Sequence, residues 1–163
     1  MSLTTEIETL AEEVLDLCRV KGLQIATAES CTGGLIVGAL TEISGSSDVV
    51  DRGFVTYSNE AKHEMLGVRI EQISMHGAVS SPVASSMAEG AMKFSNAQLT
   101  VSVTGIAGPG GGTSQKPVGT VFIGTAMEND RTLYQSYHFD GDRAAIREQT
   151  VHAALSFLKN RLI

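Results

Sequence analysis

Tryptophan is missing from this chain, and cysteine, proline and aromatic side chains are scarce: two Cys, three Pro and 5% Phe, Trp and Tyr in 163 residues. Cys18 and Cys31 stand in no CxxC spacing, which excludes the stapled framework of a small secreted domain and points to a reducing compartment. No basic segment followed by an apolar one opens the chain, so no signal peptide is read. No apolar run approaches the roughly 20 residues of a membrane helix. The expectation is a soluble, cytoplasmic protein with no membrane partner. Positive charge is also short, 12 Lys and Arg against 18 Asp and Glu, for a net charge of −6. With the basic residues scattered and a pI near 5.1, there is no basic face to bind nucleic acid. A domain of about 150 residues buries roughly two-thirds of its unfolded surface, so a core needs neither disulfide nor metal. One domain over residues 1–163 is expected.

What is present alternates strand and helix. Ile7, Leu10, Val14, Leu17 and Cys18 recur at spacings of three and four, predicting an amphipathic helix from Thr5 to Lys21 that Gly22 stops. The run Leu23 to Ala28 predicts a strand, and Gly33 to about Ile43 a helix, with Gly34 and Gly38 read as points of close backbone approach. Val49 to Tyr57 contains a second strand, centred on Phe54-Val-Thr-Tyr57. A short helix follows from Glu60 to Leu66; Ile70 to Gly77 is a loop or short helix. Ser80-Ser-Pro82 opens a helix whose apolar stripe is Val83, Met87, Ala91 and Phe94, and Leu99 to Thr104 is a third strand. Six glycines between Gly105 and Gly119 leave room only for a loop. Gly119 to Met127 and Arg131 to Phe139 form a hairpin, and a helix runs from about Ala144 to Leu162. The sum is α/β, a mixed sheet with helices on both faces.

Several chemistries drop out on spacing. The glycine loop has neither the phosphate-loop lysine pattern nor a dinucleotide GxGxxG before a helix, though its backbone could still wall a pocket. His63-Glu64 lacks a second histidine, since Gly67 stands in its place. His138, Asp140 and Asp142 could offer metal ligands, but a helix-start turn explains both aspartates without a metal. Ser30 sits where a strand hands over to a helix, a junction whose free N–H groups suit an anion or oxyanion, and it is a candidate nucleophile. The plain alternative is that Ser30 or Thr32 caps the helix. Cys31 is a rival nucleophile at the same junction. Lys62 could be a base if its pKa were lowered, against the ordinary reading of a solvated helix lysine. Arg143 and Arg147, one helical turn apart, could clamp a phosphate or pair with neighbouring acids.

Five segments taken in order closely resemble the C-terminal domain of the CinA family, which includes stand-alone nicotinamide-nucleotide amidohydrolases. They are Ala28-Glu-Ser-Cys-Thr-Gly-Gly34, Tyr57-Ser-Asn-Glu-Ala-Lys62, Gly77-Ala-Val-Ser80, Thr104 to Gly112 with Lys116-Pro-Val-Gly119, and Phe139-Asp-Gly-Asp-Arg143 with Arg147. The resemblance implies a three-layer α/β/α sandwich that hydrolyses the amide of nicotinamide mononucleotide to nicotinate mononucleotide and ammonia. It implies Ser30 as nucleophile, Lys62 as base and Tyr57 as relay or orienter of the proton. Oxyanion donors are expected in the turn Cys31, Thr32, Gly33 and in the loop after Thr104. Thr104, Gly105 and Gly108 would line the nucleotide, and Arg143 would pair with its phosphate. No cofactor and no metal are implied; the partner is a small-molecule nucleotide, and a homo-oligomer is expected. The pyrophosphatase-type activity of two-domain relatives should be absent. The glycines at 110–112 depart from the family pattern, in which an acidic residue often stands among them. A nucleotide-binding regulatory module without turnover, or an assembly partner, stays open as an alternative.

Overall fold

The computed structural model describes residues 3–163. Helix α1 (Thr5–Lys21) is bounded as its ends dictate: Thr4 accepts from the Ile7 N–H, and Gly22, at φ 66°, returns its N–H to the carbonyls of Arg19 and Cys18. Its stripe of Ile7, Ala11, Val14, Leu15 and Cys18 is buried against α2 (Leu35–Glu42) and the long C-terminal α6 (Arg143–Leu162). These three helices cover one face of a five-stranded sheet. The strands are β1 (Ile25–Glu29), β2 (Val50–Val55), β3 (Leu99–Gly105), β4 (Thr120–Met127) and β5 (Leu133–His138), in the order β2-β1-β3-β4-β5. The first three are parallel and the last two add antiparallel.

The other face carries α3 (Asn59–Leu66), α4 (Ile70–His76) and α5 (Ser81–Lys93). Here the contact is made by small and hydroxylated residues. Thr100 Oγ1 donates to the Ala88 carbonyl at 2.6 Å and Ser102 Oγ to that of Ala84 at 2.5 Å. A Cβ on Gly124 would stand 2.7 Å from the Ala84 oxygen, so α5 lies almost on the sheet. α3 and α5 meet as tightly, since a Cβ on Gly90 would fall 2.1 Å from the Leu66 oxygen.

This topology opens a crevice. β1 leads through α2 to β2 over one face, β2 leads through α3–α5 to β3 over the other, and β3 passes into the glycine loop. The chain therefore leaves the neighbouring carboxyl ends of β1 and β3 in different directions, the place where open α/β sheets bind ligands. Ser30 stands at the first of these ends, its N–H bonded to the Val103 carbonyl at 3.1 Å.

Several boundaries differ from expectation for visible reasons. Gly33 and Gly34 have φ of 58° and 102°, so α2 starts only at Leu35. β2 stops at Val55, which takes Thr56 and Tyr57 out of the strand. The 70–77 segment is the helix α4. Phe94 lies past the end of α5 and is exposed, not part of its buried stripe. Gly38 has no heavy atom within 4 Å of a would-be Cβ, so it is not a point of close approach.

Gly38 and Gly90 should therefore respond in opposite senses to the same change. Gly38→Ala is expected to stabilise by up to about 1 kcal/mol through helix propensity. Gly90→Ala is expected to destabilise by roughly 1–3 kcal/mol, because α3 and α5 must part. Urea unfolding of the two variants beside wild type measures both.

Candidate active site

The last residue of β1, Glu29, is a fully buried carboxylate, and a buried charge must be hydrogen-bonded to persist. It finds its partners in the turn and helix that follow. Oε1 accepts from the Ile36 N–H at 2.8 Å and from Thr32 Oγ1 at 2.7 Å; Oε2 accepts from the Val37 N–H at 3.0 Å and from Thr27 Oγ1 at 3.2 Å. α2 has Gly34 at its N-cap and no side-chain cap of the usual kind. Glu29 caps it from within, satisfying amides that would otherwise be orphaned and placing negative charge at the positive helix end. Neither Ser30 nor Thr32 caps α2, and the donors of the α2 terminus are not free for an anion. Sequence reading missed Glu29; the available signal was a carboxylate ending a strand whose other residues are small or apolar.

Lys62 is 1% exposed, although it lies on a short surface helix. Its Nζ is 3.0 Å from Ser30 Oγ, 3.0 Å from the Thr56 carbonyl and 3.1 Å from the Tyr57 carbonyl. The solvated-lysine reading is overturned: the early end of β2 turns two main-chain carbonyls toward the amine, and no carboxylate pairs with it among the described residues. Burial lowers its pKa below the usual 10.5, only partly opposed by the Cys31 thiol. With two N–H bonds held by carbonyls, a deprotonated Nζ presents its lone pair toward Ser30 Oγ, whose hydroxyl then donates to it.

The two residues floor a cleft of about 310 Å³. Cys31, Thr104, Gly105, Gly108, Tyr57 and Arg143 share its lining with Ile106, Gly110 and Gly111 of the glycine loop and with Ala78 and Val79 before α5. Thr104 Oγ1 donates to the Ala78 carbonyl at 2.9 Å, tying those walls together. Gly105 cannot be larger: a Cβ there would lie 2.7 Å from Val121 and 3.2 Å from Cys31 Sγ. Cys31 is buried, and burial pushes its thiol up to about 11, which disfavours the thiolate a cysteine nucleophile needs. A roomier hollow, about 490 Å³, lies at α1, α6 and the stacked rings of Tyr137 and Phe139. It contains neither Ser30 nor Lys62.

Three expectations are redistributed. Thr32 and Gly33 do not line the cleft: Thr32 is spent on Glu29, and the Gly33 N–H donates to the Ser30 carbonyl at 3.0 Å, so it is not a free oxyanion donor. Tyr57 reaches Lys62 through its main-chain carbonyl, while its exposed phenol accepts from Arg143 Nη2 at 3.2 Å. Arg143 and Arg147 both line a hollow of about 660 Å³ beside Pro109 and Val118, but of the two only Arg143 also lines the Ser30–Lys62 cleft. Arg143 faces the cleft and also donates through Nη1 to the Gly108 carbonyl at 2.8 Å, whereas Arg147 turns to the carbonyls of Cys31 and Thr32.

The fold and this pair define a class, a three-layer α/β/α domain with a serine and a buried lysine in contact at the carboxyl ends of its parallel strands. The chain belongs to the CinA C-terminal domain family, whose profile matches residues 7–162. It is 47% identical over 154 residues to the nicotinamide-nucleotide amidohydrolase PncC of Escherichia coli K12, covering 94% of this chain and 93% of that one. It is 49% identical over 156 residues to a competence-damage inducible protein of Caldicellulosiruptor bescii, covering 96% of this chain but only 38% of that longer relative. The crystal structure of the Agrobacterium tumefaciens competence/damage inducible protein superposes with a TM-score of 0.95 at 50% identity, covering 99% of this chain and 98% of the other.

Truncating Glu29 should show how much of the site rests on it. Glu29→Ala leaves buried amides of Ile36 and Val37 unpaired and is expected to cost roughly 1–3 kcal/mol or more, read by urea denaturation. Thr32→Val removes one donor and should cost less, on the order of 1 kcal/mol.

Proposed function

We propose that this chain is a nicotinamide-nucleotide amidohydrolase, releasing ammonia from nicotinamide mononucleotide and leaving nicotinate mononucleotide. The observation that carries the reading is the 3.0 Å contact between Ser30 Oγ and a buried Lys62 Nζ with no carboxylate partner. The amidohydrolase name of relatives that match along nearly their whole length supplies the substrate. Residues 1–163 form one amidohydrolase domain in this reading. A cytoplasmic location and a homo-oligomer belong to it through the family resemblance.

Neutral Lys62 takes the Ser30 proton as Oγ attacks the carboxamide carbon. The C–O bond forms, and the carbonyl electron pair moves onto oxygen. N–H groups at the Cys31 turn and the start of the glycine loop are where that oxyanion is stabilised. Collapse breaks the C–N bond, and protonated Lys62 returns the proton to the leaving nitrogen, giving ammonia and a nicotinoyl ester on Ser30. Water then attacks the ester, Lys62 takes its proton and gives it back to Ser30 Oγ, and the acid departs. Arg143, at the cleft mouth, is placed to exchange its neutral partners for the phosphate of the nucleotide.

Ammonia release from nicotinamide mononucleotide, followed with chelator present, tests the reading. Ser30→Ala should abolish turnover while keeping a nucleotide-dependent thermal shift. Lys62→Met should lose about 10²–10⁴-fold or more, the range of general-base catalysis. Equal rates in wild type and Ser30→Ala would remove Ser30 as nucleophile. Because burial lowers the Lys62 pKa and the neutral amine is the base, kcat/KM should rise with pH along a limb that levels off below 10.5. A profile that falls through that range would contradict it.

A further inference from the structure

The two arginines in the first turns of α6 lie four residues apart in sequence and have different targets in space. Arg147 Nε donates to the Cys31 carbonyl at 3.1 Å and Nη2 to the Thr32 carbonyl at 3.3 Å, two successive peptides of the turn that carries Ser30. We propose that Arg147 is a positioning residue, whose guanidinium fixes the peptide planes after Ser30 and thereby the place of the Ser30 hydroxyl.

The turn needs such a tie. It passes through two consecutive glycines with left-handed φ, the most permissive backbone available, between a rigid strand end and the first turn of α2. Glu29 secures the downstream side, through Thr32 Oγ1 and the amides of Ile36 and Val37. On the upstream side, among the described residues, Arg147 is the donor to the Cys31 carbonyl. A peptide is planar, so pinning a carbonyl also sets the direction of the N–H on the same unit. The unit held at the Thr32 carbonyl, which accepts from the Leu35 N–H at 3.1 Å as well as from Arg147, carries the Gly33 N–H, which donates back to the carbonyl of Ser30 itself at 3.0 Å. A continuous chain thus runs from the guanidinium through one peptide to the nucleophile's own residue, and linked dipoles of this kind strengthen one another. Arginine suits the task because its planar fork spans two carbonyls at once, whereas a lysine offers a single point charge.

The kinetic part of this inference rests on the amidohydrolase reading above; the structural part does not. In the intact protein, Arg147→Gln and Arg147→Lys should lower kcat for nicotinamide mononucleotide by about 10–100-fold, the scale of a displacement near 1 Å. KM should stay within about twofold, since no ground-state contact to substrate is removed. Guanidinium ion in the buffer should restore part of the kcat of Arg147→Gln and none in Lys62→Met. Amide hydrogen exchange across residues 31–35 should quicken by about tenfold with α6 unchanged, reporting a local opening and not global unfolding. Unchanged kcat in an active enzyme overturns the proposal, as does a raised KM at constant kcat, which would make Arg147 a substrate ligand. If wild type releases no ammonia, the amidohydrolase reading fails and the exchange measurement alone decides: faster exchange at 31–35 supports the tie, and unchanged exchange overturns it.

Discussion

A single buried carboxylate organises the front of this domain. Glu29 ends the interior strand β1 and takes the amides of α2, so the strand-to-helix turn is closed by an internal ion instead of by the residues within it. That division of labour leaves Ser30 without a structural duty of its own. A serine at a helix start usually accepts backbone hydrogen bonds; here the accepting is done one residue earlier, and the hydroxyl meets Lys62 Nζ at 3.0 Å and, at 3.5 Å, the Tyr57 carbonyl. The same charge occupies the α2 terminus, so the Ile36 and Val37 amides are not available to an anion in the cleft.

Lys62 shows the complementary economy. An amine taken out of water without an anion loses stability in its charged form, and folded proteins accept such groups mainly where function requires a neutral amine. Two carbonyls exposed by ending β2 at Val55 receive the amine. Neutral dipoles hold the amine in place without restoring its proton affinity as a carboxylate would. The close, small-residue packing of α5 on the sheet supports this arrangement by fixing the face on which α3 brings in the lysine.

How far this was legible in the chain itself varies with the range of the interaction. Helix α1, the three parallel strands, the hairpin and α6 follow from periodicity and local stop signals, because their determinants lie within a few residues. Ser30, Lys62 and Arg143 could be named as candidates from residue type and from family resemblance. Their partners could not. Periodicity places Lys62 on a short helix and gives no hint that strand β2 ends early beneath it. Glu29 caps amides seven and eight residues away, and Arg147 acts on carbonyls 115 and 116 residues away. Spacing on α6 suggested a shared arginine clamp, since helical proximity cannot tell which way two long side chains will turn. Residue type likewise gives no hint that Tyr57 meets Lys62 through its main-chain carbonyl.

The bridge from Arg143 to Tyr57 and Gly108 has a consequence for selectivity. It joins the segment after β2, the glycine loop and α6 across one opening, using bonds to neutral oxygens only. An incoming molecule that carries an anion can trade these bonds for stronger charge-assisted ones, while an uncharged molecule of the same shape can only break them. An opening bridged in this way favours an anion over a neutral molecule of the same shape by the exchange of bonds alone.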